Sequence, residues 1–292
     1  MTSGAKTVLM LGATGYIGRH LAAQLHARGH CIRAVVRDRQ GAERPGAHDA
    51  PALAGLVDEW IIAHDPADAD RDGMLMEGVD HVVSTLGVTR QKADPWAVDW
   101  GMNLRYLELA EAARPSSFLY VGVMNASLGT SAVARAKHAF METLRRSRIT
   151  PLIVNPSGYF SDLTEIHDLA RRGMGIGLGD GSVRLSPIHG ADLAAYCADR
   201  LDGPAGSWDV GGPEALTYRE IVDLAFRTIG RRPRYTALPR SLGSSAIWIA
   251  DRIGPRPSSL TRFFLEGMQC DSVGAPTGTH RLGDYFRSLT DS

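Results

Sequence analysis

The chain has 292 residues, 44% hydrophobic and 22% charged, which suits one large globular domain or a large domain with a smaller appended lobe. Lys and Arg together number 32, and so do Asp and Glu, so the formal net charge is zero. This balance gives no electrostatic reason to expect a nucleic-acid partner or an anionic membrane surface.

The first half of the chain alternates short apolar runs with helical periodicity. Strands are predicted at residues 7–11, 32–36, 59–63, 81–85, 117–123 and 151–154. Helices are predicted at 16–28, 98–113 and 131–148, with a weak helix in 39–56 and a turn at 74–77. Strands that alternate with helices predict βαβ units and an α/β fold, a doubly wound parallel sheet with helices on both faces.

The pattern changes after about Gly158. The glycine-dense run 173–181 excludes a helix, and the capping box Thr217–Glu220 predicts a helix to about residue 229. Further strands are predicted at 184–187 and 207–210, and further helices at 191–201 and 241–253. We therefore expect a first domain over 1–158 and, over 159–292, mainly a small C-terminal α/β substrate-binding lobe packed on it, with some strands returning to the main sheet.

A glycine-rich segment, GATGYIG at residues 12–18, lies between the first predicted strand and helix. Gly12 suits the tight turn, Gly15 permits a backbone to approach a pyrophosphate, and Gly18 permits close packing of helix on strand. The N-terminus of the following helix offers unpaired N–H groups to phosphates. Because a strand precedes the motif and an amphipathic helix follows it, the segment predicts a Rossmann-type dinucleotide site.

The glycine spacing resembles the short-chain dehydrogenase/reductase superfamily, in its extended and atypical branches. Further segments resemble that family in the same order along most of the chain: HDP at 64–66, VGVMN at 121–125, NPSGYF at 155–160, IHGADLA at 188–194 and GGPEALT at 211–217. The chain is most similar to NmrA-like proteins and to relatives of the complex I 39-kDa subunit.

The resemblance implies that residues 1–158 form the NADP-binding domain. Within and around it, the implied cofactor-binding residues are Gly12, Thr14, Gly15, Tyr16, Ile17, Gly18, Arg37, Asp65, Thr85, Leu86, Gly87, Gly122, Lys137, Pro156, Gly158 and Phe160.

The residue that follows the second strand indicates NADP(H) as the cofactor. An NAD site usually places an acidic residue at the end of this strand, to bind the ribose 2′-hydroxyl. Here that position is Arg37, whose guanidinium matches a 2′-phosphate, and Arg39 is a second candidate. Two alternatives stay open: Arg37 as a solvated loop charge, and Asp38 as a ligand for the ribose of NAD.

The family's usual catalytic acid is a Tyr four residues before a Lys, and here Val133 stands four residues before Lys137. Lys137 lies in the apolar stripe of the helix 131–148, where a charge is costly unless it is paired or faces a polar cavity. A bound nicotinamide ribose would supply such a partner. The alternative is an ammonium that snorkels from the edge of the stripe.

Substitute proton donors are Lys137 itself, Tyr159, Ser84, Thr85 and His189, of which Lys137, Tyr159 and Ser84 are the predicted catalytic set. Each of the last four also has a structural alternative: Tyr159 as a core residue, Ser84 and Thr85 as strand-end hydrogen bonders, and His189 as a satisfied structural histidine.

The expected function is an NADPH-dependent reduction of a ketone or an activated C=C on an apolar, aromatic small molecule. The resemblance adds tailoring enzymes of aromatic polyketides as precedent. Two rivals stay open: a non-catalytic NADP(H)-binding regulatory or assembly protein, and a nucleotide-sugar epimerase-like enzyme. Candidate cleft-lining residues are Arg90, Gln91, Trp96, Trp100, Tyr159, Phe160, Trp248, Phe263 and Phe264.

The remaining expectations concern location and partners. Cys31, Cys197 and Cys270 are widely spaced and odd in number, so neither a disulfide framework nor a metal site is predicted. No apolar run approaches the roughly 20 residues of a membrane span, and no signal-peptide pattern is recognised. We expect a cytoplasmic protein that acts on a small molecule, without nucleic acid or membrane span, as a monomer or weak homodimer.

Overall fold

The computed structural model describes residues 4–88, 93–239, 265–267 and 269–290. The predicted helix 241–253 and the candidate cleft residues Arg90, Gln91, Trp248, Phe263 and Phe264 lie outside the described residues.

Strands form the framework of the chain. They are β1 (Thr7–Leu11), β2 (Cys31–Val36), β3 (Glu59–Ile62), β4 (His81–Ser84), β5 (Ser117–Val121), β6 (Thr150–Pro156), β7 (Ile176–Leu178), β8 (Arg184–Leu185), β9 (Gly206–Gly211), β10 (Leu216–Thr217), β11 (Thr236–Leu238) and β12 (Ala275–Pro276). Eight of them form one sheet in the order β12-β9-β6-β5-β4-β1-β2-β3. The pairings of β1 with β2 and β4, of β2 with β3, and of β5 with β4 and β6 are parallel, which confirms the predicted fold class.

The described helices alternate with these strands. They are α1 (Tyr16–Ala27), α2 (Arg39–Ala42), α3 (Pro66–Ala69), α4 (Asn103–Ala113), α5 (Ala132–Arg145), α6 (Thr164–Arg171), α7 (Gly190–Ala198), α8 (Tyr218–Thr228) and α9 (Leu282–Ser288). A seven-residue π-helix, Trp96–Met102, precedes α4, and 3₁₀ turns cover Ala126–Leu128 and Phe160–Leu163. Within the part of the chain that the structure describes, no helix has the length and apolar composition needed to cross a bilayer.

The chain divides into two compact units. The first comprises Met1–Gly122, Ala136–Asn155 and Leu193–Trp208, and its core includes β4 and β5, whose residues are buried throughout. Unbroken burial is what a central parallel strand covered on both faces requires. The predicted single boundary after residue 158 stays a prediction.

The second unit comprises Val123–Arg135, Pro156–Asp192 and Asp209–Ser292. Its apolar cluster gathers Phe160, Phe226 and Phe286, each at most 1% exposed. The predicted capping box is present, since the Thr217 hydroxyl accepts from the Glu220 N–H and the Glu220 carboxylate accepts from the Thr217 N–H. Periodicity did not reveal α6 and α9, because they are short, at eight and seven residues.

The predicted helix 98–113 differs from the observed structure at its start. The segment Trp96–Met102 is wound as a π-helix, and regular α-helix begins only at Asn103. Hydrophobic spacing did not distinguish the two windings over so short a segment. Since π-segments occur frequently at functional sites, this one directs attention to its buried residue, Asp99.

A buried polar cluster lies at the amino ends of β4 and β5. The His81 side chain is fully buried, its Nδ1 lies 2.8 Å from the Ser117 Oγ, and its Nε2 lies 3.2 Å from the Asp202 Oδ1. Burial lowers the pKa of His81 below its ordinary value of 6.5, although Asp202 opposes the shift. The neutral imidazole is therefore the form that the folded protein favours.

We predict that the free energy of unfolding falls as pH drops below about 6.5. Below that pH His81 is protonated more readily in the unfolded chain than in the folded chain. The free energy of unfolding therefore falls by up to about 1.4 kcal/mol per pH unit, until the pH has passed the lowered pKa of the folded state. Urea unfolding of the parent and of His81→Gln over about pH 5 to 7.5 checks this. The variant should show a shallower slope, and His26→Gln, on an exposed residue of α1, should keep the parent slope. An unchanged slope in His81→Gln contradicts the assignment.

Candidate functional site

The carboxyl ends of five parallel strands bring most of the candidate residues of the first unit to one edge of the sheet. The glycine segment 12–18 follows β1, Arg37 follows β2, Asp65 lies shortly after β3, Thr85 to Gly87 follow β4, and Gly122 follows β5. In open α/β sheets, ligands bind outside the carboxyl ends of the strands. The topology therefore assembles residues that are up to 110 positions apart in the sequence.

The backbone at Gly12 and Gly18 has the predicted properties. Gly12 has φ +78°, and a Cβ there would lie 2.9 Å from the Thr85 carbonyl carbon. A Cβ on Gly18 would lie 2.3 Å from the Gly12 oxygen and 2.8 Å from the Ala13 Cα. The turn and the close approach of α1 to β1 therefore both depend on the missing side chains.

Gly15 differs from the other two glycines. It is the N-cap of α1 with φ −72°, and among the described residues a Cβ there would meet only the Gly12 oxygen, at 3.4 Å. The first turn of α1 contains no acidic residue, and no side chain in the described part of the chain caps it. The exposed Gly15 thus keeps the N–H end of a 12-residue helix accessible, which is the arrangement that a phosphate needs.

Two arginines after β2 have different surroundings. Arg39 donates to the Glu43 carboxylate at 2.8 Å and its guanidinium lies 5.4 Å from the centre of the Trp60 ring. Arg37 lies directly at the end of β2 and is exposed, as is its neighbour Asp38. Arg39 is engaged with protein groups, so Arg37 is better placed to bind an anionic ligand.

Arg19 was not predicted, yet it connects α1 to the segment after β2. This buried guanidinium donates to carbonyl oxygens at Thr14, Gly41, Ala42, Arg44 and Pro51, at 2.6 to 3.2 Å. Burial lowers the pKa of this guanidinium below its ordinary value. Sequence alone offered no signal, because an Arg on an amphipathic helix is usually solvated.

Three predicted residues have structural hydrogen bonds of their own. The Thr85 hydroxyl donates to the Gly12 oxygen at 3.0 Å and so supports the glycine turn. Ser84 is fully buried and its hydroxyl donates to the Asn103 Oδ1 at 2.5 Å. Asp65 is the N-cap of α3 and accepts from the Asp68 N–H at 2.9 Å. For Ser84 this favours the structural alternative, since its proton already has an acceptor.

Lys137 lies in the buried stripe of α5, as predicted, with only 7% of its surface exposed. Its Nζ pairs with the Asp99 Oδ1 at 2.9 Å and lies 5.6 Å from the centre of the Tyr120 ring. A Cβ on Gly87 would lie 2.7 Å from that Nζ. The ammonium is therefore buried against the segment after β4, whereas the snorkelling alternative would place it in solvent.

Asp99 was also missed, and it is the protein partner that the buried ammonium requires. Its side chain is fully buried, and its Oδ2 accepts from the Val88 N–H at 3.0 Å. The Asn103 Nδ2 donates to the Asp99 carbonyl at 3.0 Å, where the π-helix joins α4. An Asp near the start of a predicted helix ordinarily stays in solvent, so the sequence carried no signal of burial.

Tyr120 is fully buried on β5 beside Lys137. Burial raises the pKa of Tyr120 to about 12, while the Lys137 charge opposes the shift. The phenol therefore stays neutral near pH 7, and the ammonium of Lys137 lies beside an uncharged ring.

The remaining candidates belong to the second unit, which holds Pro156, Gly158, Tyr159, Phe160 and His189. The Phe160 side chain is 1% exposed and its ring packs 5.6 Å from the His189 ring. Tyr159 bridges to Ile188 through the backbone and is half-buried. The roles predicted for these residues toward a cofactor stay predictions.

Comparison with known proteins identifies the class. Residues 12–204 match the model of a family described as NAD(P)H-binding, and the chain belongs to that family. The predicted resemblance to the short-chain dehydrogenase/reductase superfamily, in its atypical NmrA-like branch, is confirmed.

Particular relatives fall within this class. The chain is 31% identical to the divinyl chlorophyllide a 8-vinyl-reductase of Oryza sativa, over 98% of this chain and 75% of that protein. It is 24% identical to subunit 9 of the NADH dehydrogenase alpha subcomplex of Arabidopsis thaliana, over 79% of this chain and 60% of that protein. An NADPH-dependent quinone oxidoreductase of Escherichia coli, solved with NADPH, has the same fold, with a TM-score of 0.71, 19% identity and coverage of 97% and 99%.

We predict different effects from one added methyl group at two of the glycines. Gly18→Ala should lower the free energy of unfolding by about 1–3 kcal/mol, because its Cβ meets the Gly12 backbone. Gly15→Ala should leave stability within about 0.5 kcal/mol, and should weaken NADPH binding, because its Cβ enters the space before the helix N-terminus. Urea unfolding and NADPH fluorescence titration check both. Equal loss of stability in the two variants contradicts the division of roles.

Proposed function

We propose that the protein is an NADPH-dependent reductase that acts on an activated C=C or a ketone of an apolar, flat small molecule. The observation that carries the proposal is the buried, charged Lys137 beneath Gly87, at the edge of the sheet where the glycine segment lies. The glycine segment suits the pyrophosphate of a dinucleotide, and a fixed ammonium at the same edge supplies a positioned N–H donor for the nicotinamide ribose and for a reacting group beside it.

The residues present fit a dinucleotide. The accessible helix end at Gly15 suits the pyrophosphate, and the proposed contacts around it are Thr14, Tyr16 and Ile17, with Asp65 toward the adenine. Further contacts are proposed at Thr85, Leu86, Gly87, Gly122, Lys137, Pro156, Gly158 and Phe160. When bound, NADPH supplies the hydride, and the protein supplies orientation.

The preference for NADPH over NADH is proposed from Arg37. Its exposed guanidinium at the end of β2 suits the 2′-phosphate, whereas Arg39 is paired with Glu43. The retained alternative is that Asp38 serves the ribose of NAD.

Lys137 is proposed to orient the bound cofactor, and its Nζ is the proposed proton donor at this edge of the sheet. Tyr159 remains a proposed alternative donor from the second unit, and Ser84 is the weakest because Asn103 already accepts its proton. Substrates whose product anion is stabilised by conjugation need little help from a dedicated acid.

Two features favour a flat apolar substrate and reduction of a C=C. Trp96 and Trp100 lie on the π-helix that carries Asp99, with ring centres 6.3 Å apart, and Trp96 is 38% exposed. The rice relative is named as a vinyl-reductase, and a vinyl group is a C=C, so this name supports reduction of a C=C. The cytoplasmic location and the monomeric or weakly dimeric state stay predictions.

A second candidate is a non-catalytic NADP(H)-binding protein that acts in assembly or regulation. Val133 occupies the position at which the resemblance predicts the family's catalytic Tyr, and one relative is named as a subunit of an NADH dehydrogenase subcomplex. The nucleotide-sugar epimerase alternative ranks third, because such enzymes normally keep that Tyr.

We predict that Arg37→Ala weakens NADPH binding about ten- to hundredfold and leaves NADH binding within about twofold, since only NADPH carries the phosphate. Titration of both nucleotides against the parent checks this, with Arg39→Ala as the matched control, expected to stay near the parent. An unchanged NADPH/NADH ratio in Arg37→Ala removes the assignment.

We predict that the purified chain oxidises NADPH when supplied with conjugated enones, vinyl-substituted aromatics or quinones. The loss of NADPH absorbance measures this reaction. Deuterium from deuterated NADPH at one stereochemically defined carbon of the product would show that hydride is transferred to carbon. Tight NADPH binding with no turnover across this panel and aryl ketones overturns the reductase and favours the assembly or regulatory protein.

A further inference from the structure

We infer that Asp99 is a positioning residue, which holds the Lys137 ammonium charged and fixed beneath Gly87 and thereby prepares the nicotinamide end of the site. This inference rests on the proposed function, in which Lys137 contacts the bound dinucleotide. It assigns a role to a carboxylate that lies outside the family-like segments named in the sequence analysis.

The two carboxylate oxygens of Asp99 have separate partners. Oδ1 lies 2.9 Å from the Lys137 Nζ, and Oδ2 accepts from the Val88 N–H at 3.0 Å. One residue therefore ties α5 to the segment that follows β4. A Cβ on Gly87 would lie 2.7 Å from the Nζ and 2.9 Å from the Asp99 Oδ1, so the ion pair lies against that backbone.

The π-helix explains how Asp99 reaches this place. The wide winding of Trp96–Met102 ends where the Asn103 Nδ2 donates to the carbonyls of Asp99, at 3.0 Å, and Val98, at 3.3 Å. The Asn103 Oδ1 accepts from the Ser84 hydroxyl on β4. Asp99 is thus held by its backbone as well as its side chain, which is what a positioning role requires.

The charge balance around Lys137 points to the same role. From the π-helix it faces Asp99, and from β5 it faces Tyr120, whose buried phenol is neutral. Among these described groups Asp99 carries the negative charge. A buried ammonium that loses its anion is easier to deprotonate, and deprotonation removes a donor from the site.

The test measures NADPH affinity of the full chain from about pH 7 to pH 10, by fluorescence titration. Asp99→Asn should bind NADPH about tenfold more weakly than the parent near neutral pH, and its affinity should begin to fall at least about one pH unit lower. Lys137→Met should bind weakly with little pH dependence. The double variant should bind no worse than Lys137→Met, since Asp99 acts through Lys137.

A matched control removes a different Lys–Asp pair of the first unit. Asp202→Asn breaks the 2.8 Å pair with Lys6 and also changes the contact with the His81 ring, and it should leave NADPH affinity and its pH profile at the parent values. Thermal unfolding of every variant separates binding from stability, since a merely structural Asp99 would change the melting temperature and leave the binding pH profile alone.

The outcomes separate the inference from the function on which it rests. A parent-like affinity and pH profile in Asp99→Asn, with weak binding by Lys137→Met, overturns the inference and keeps the proposed role of Lys137. Parent-like binding by Lys137→Met overturns the proposed role itself. If Asp99→Asn does not fold, Asp99→Glu keeps the charge and displaces it by one methylene. It should weaken NADPH binding with an unchanged pH midpoint, and parent-like affinity there also overturns the inference.

Discussion

The contact between Gly18 on α1 and the backbone of Gly12 and Ala13 sets the geometry on which the first unit depends. A Cβ at Gly18 would come within 2.3 Å of the Gly12 oxygen, so the helix can lie this close to β1 only without a side chain. The close approach directs the N–H end of α1 to the carboxyl edge of the sheet. The loops that carry Arg37, Thr85 and Gly87 end at that same edge, because the strands before them are parallel.

A second constraint is electrostatic. A lysine in the buried stripe of α5 requires a counter-charge, and a seven-residue π-helix brings Asp99 to it. Removing one member of a buried pair typically costs about 3–5 kcal/mol, although replacing both by apolar residues is often neutral. The presence of both charges at this edge of the sheet therefore fits a functional role better than a role in stability alone.

Much of the first unit could be predicted from the sequence. Strand β1 agrees at both ends with its prediction, and the mechanical roles of Gly12 and Gly18 are visible in the backbone, because a glycine spacing reports local conformation directly. The protein groups that pair with the buried charged side chains could not be predicted. Asp99 and Arg19 acquire their partners through tertiary contacts 38 and up to 32 residues away, and a solvated Asp or Arg on a helix gives the same sequence pattern. Among the aromatic candidates that the structure describes, Phe160 lies within the apolar cluster of the second unit. A hydrophobic residue in the sequence does not indicate which groups it will contact.

The five carbonyl acceptors of Arg19 have a consequence for redesign of the cofactor preference. Four of them, at Gly41, Ala42, Arg44 and Pro51, belong to the segment just after Arg37. A loop transplanted from an NADH-using relative would need to present carbonyls at the same points, or it would strand a buried guanidinium beside the glycine turn. Point exchange at Arg37 leaves that scaffold intact, whereas loop grafting places the phosphate-binding helix itself at risk.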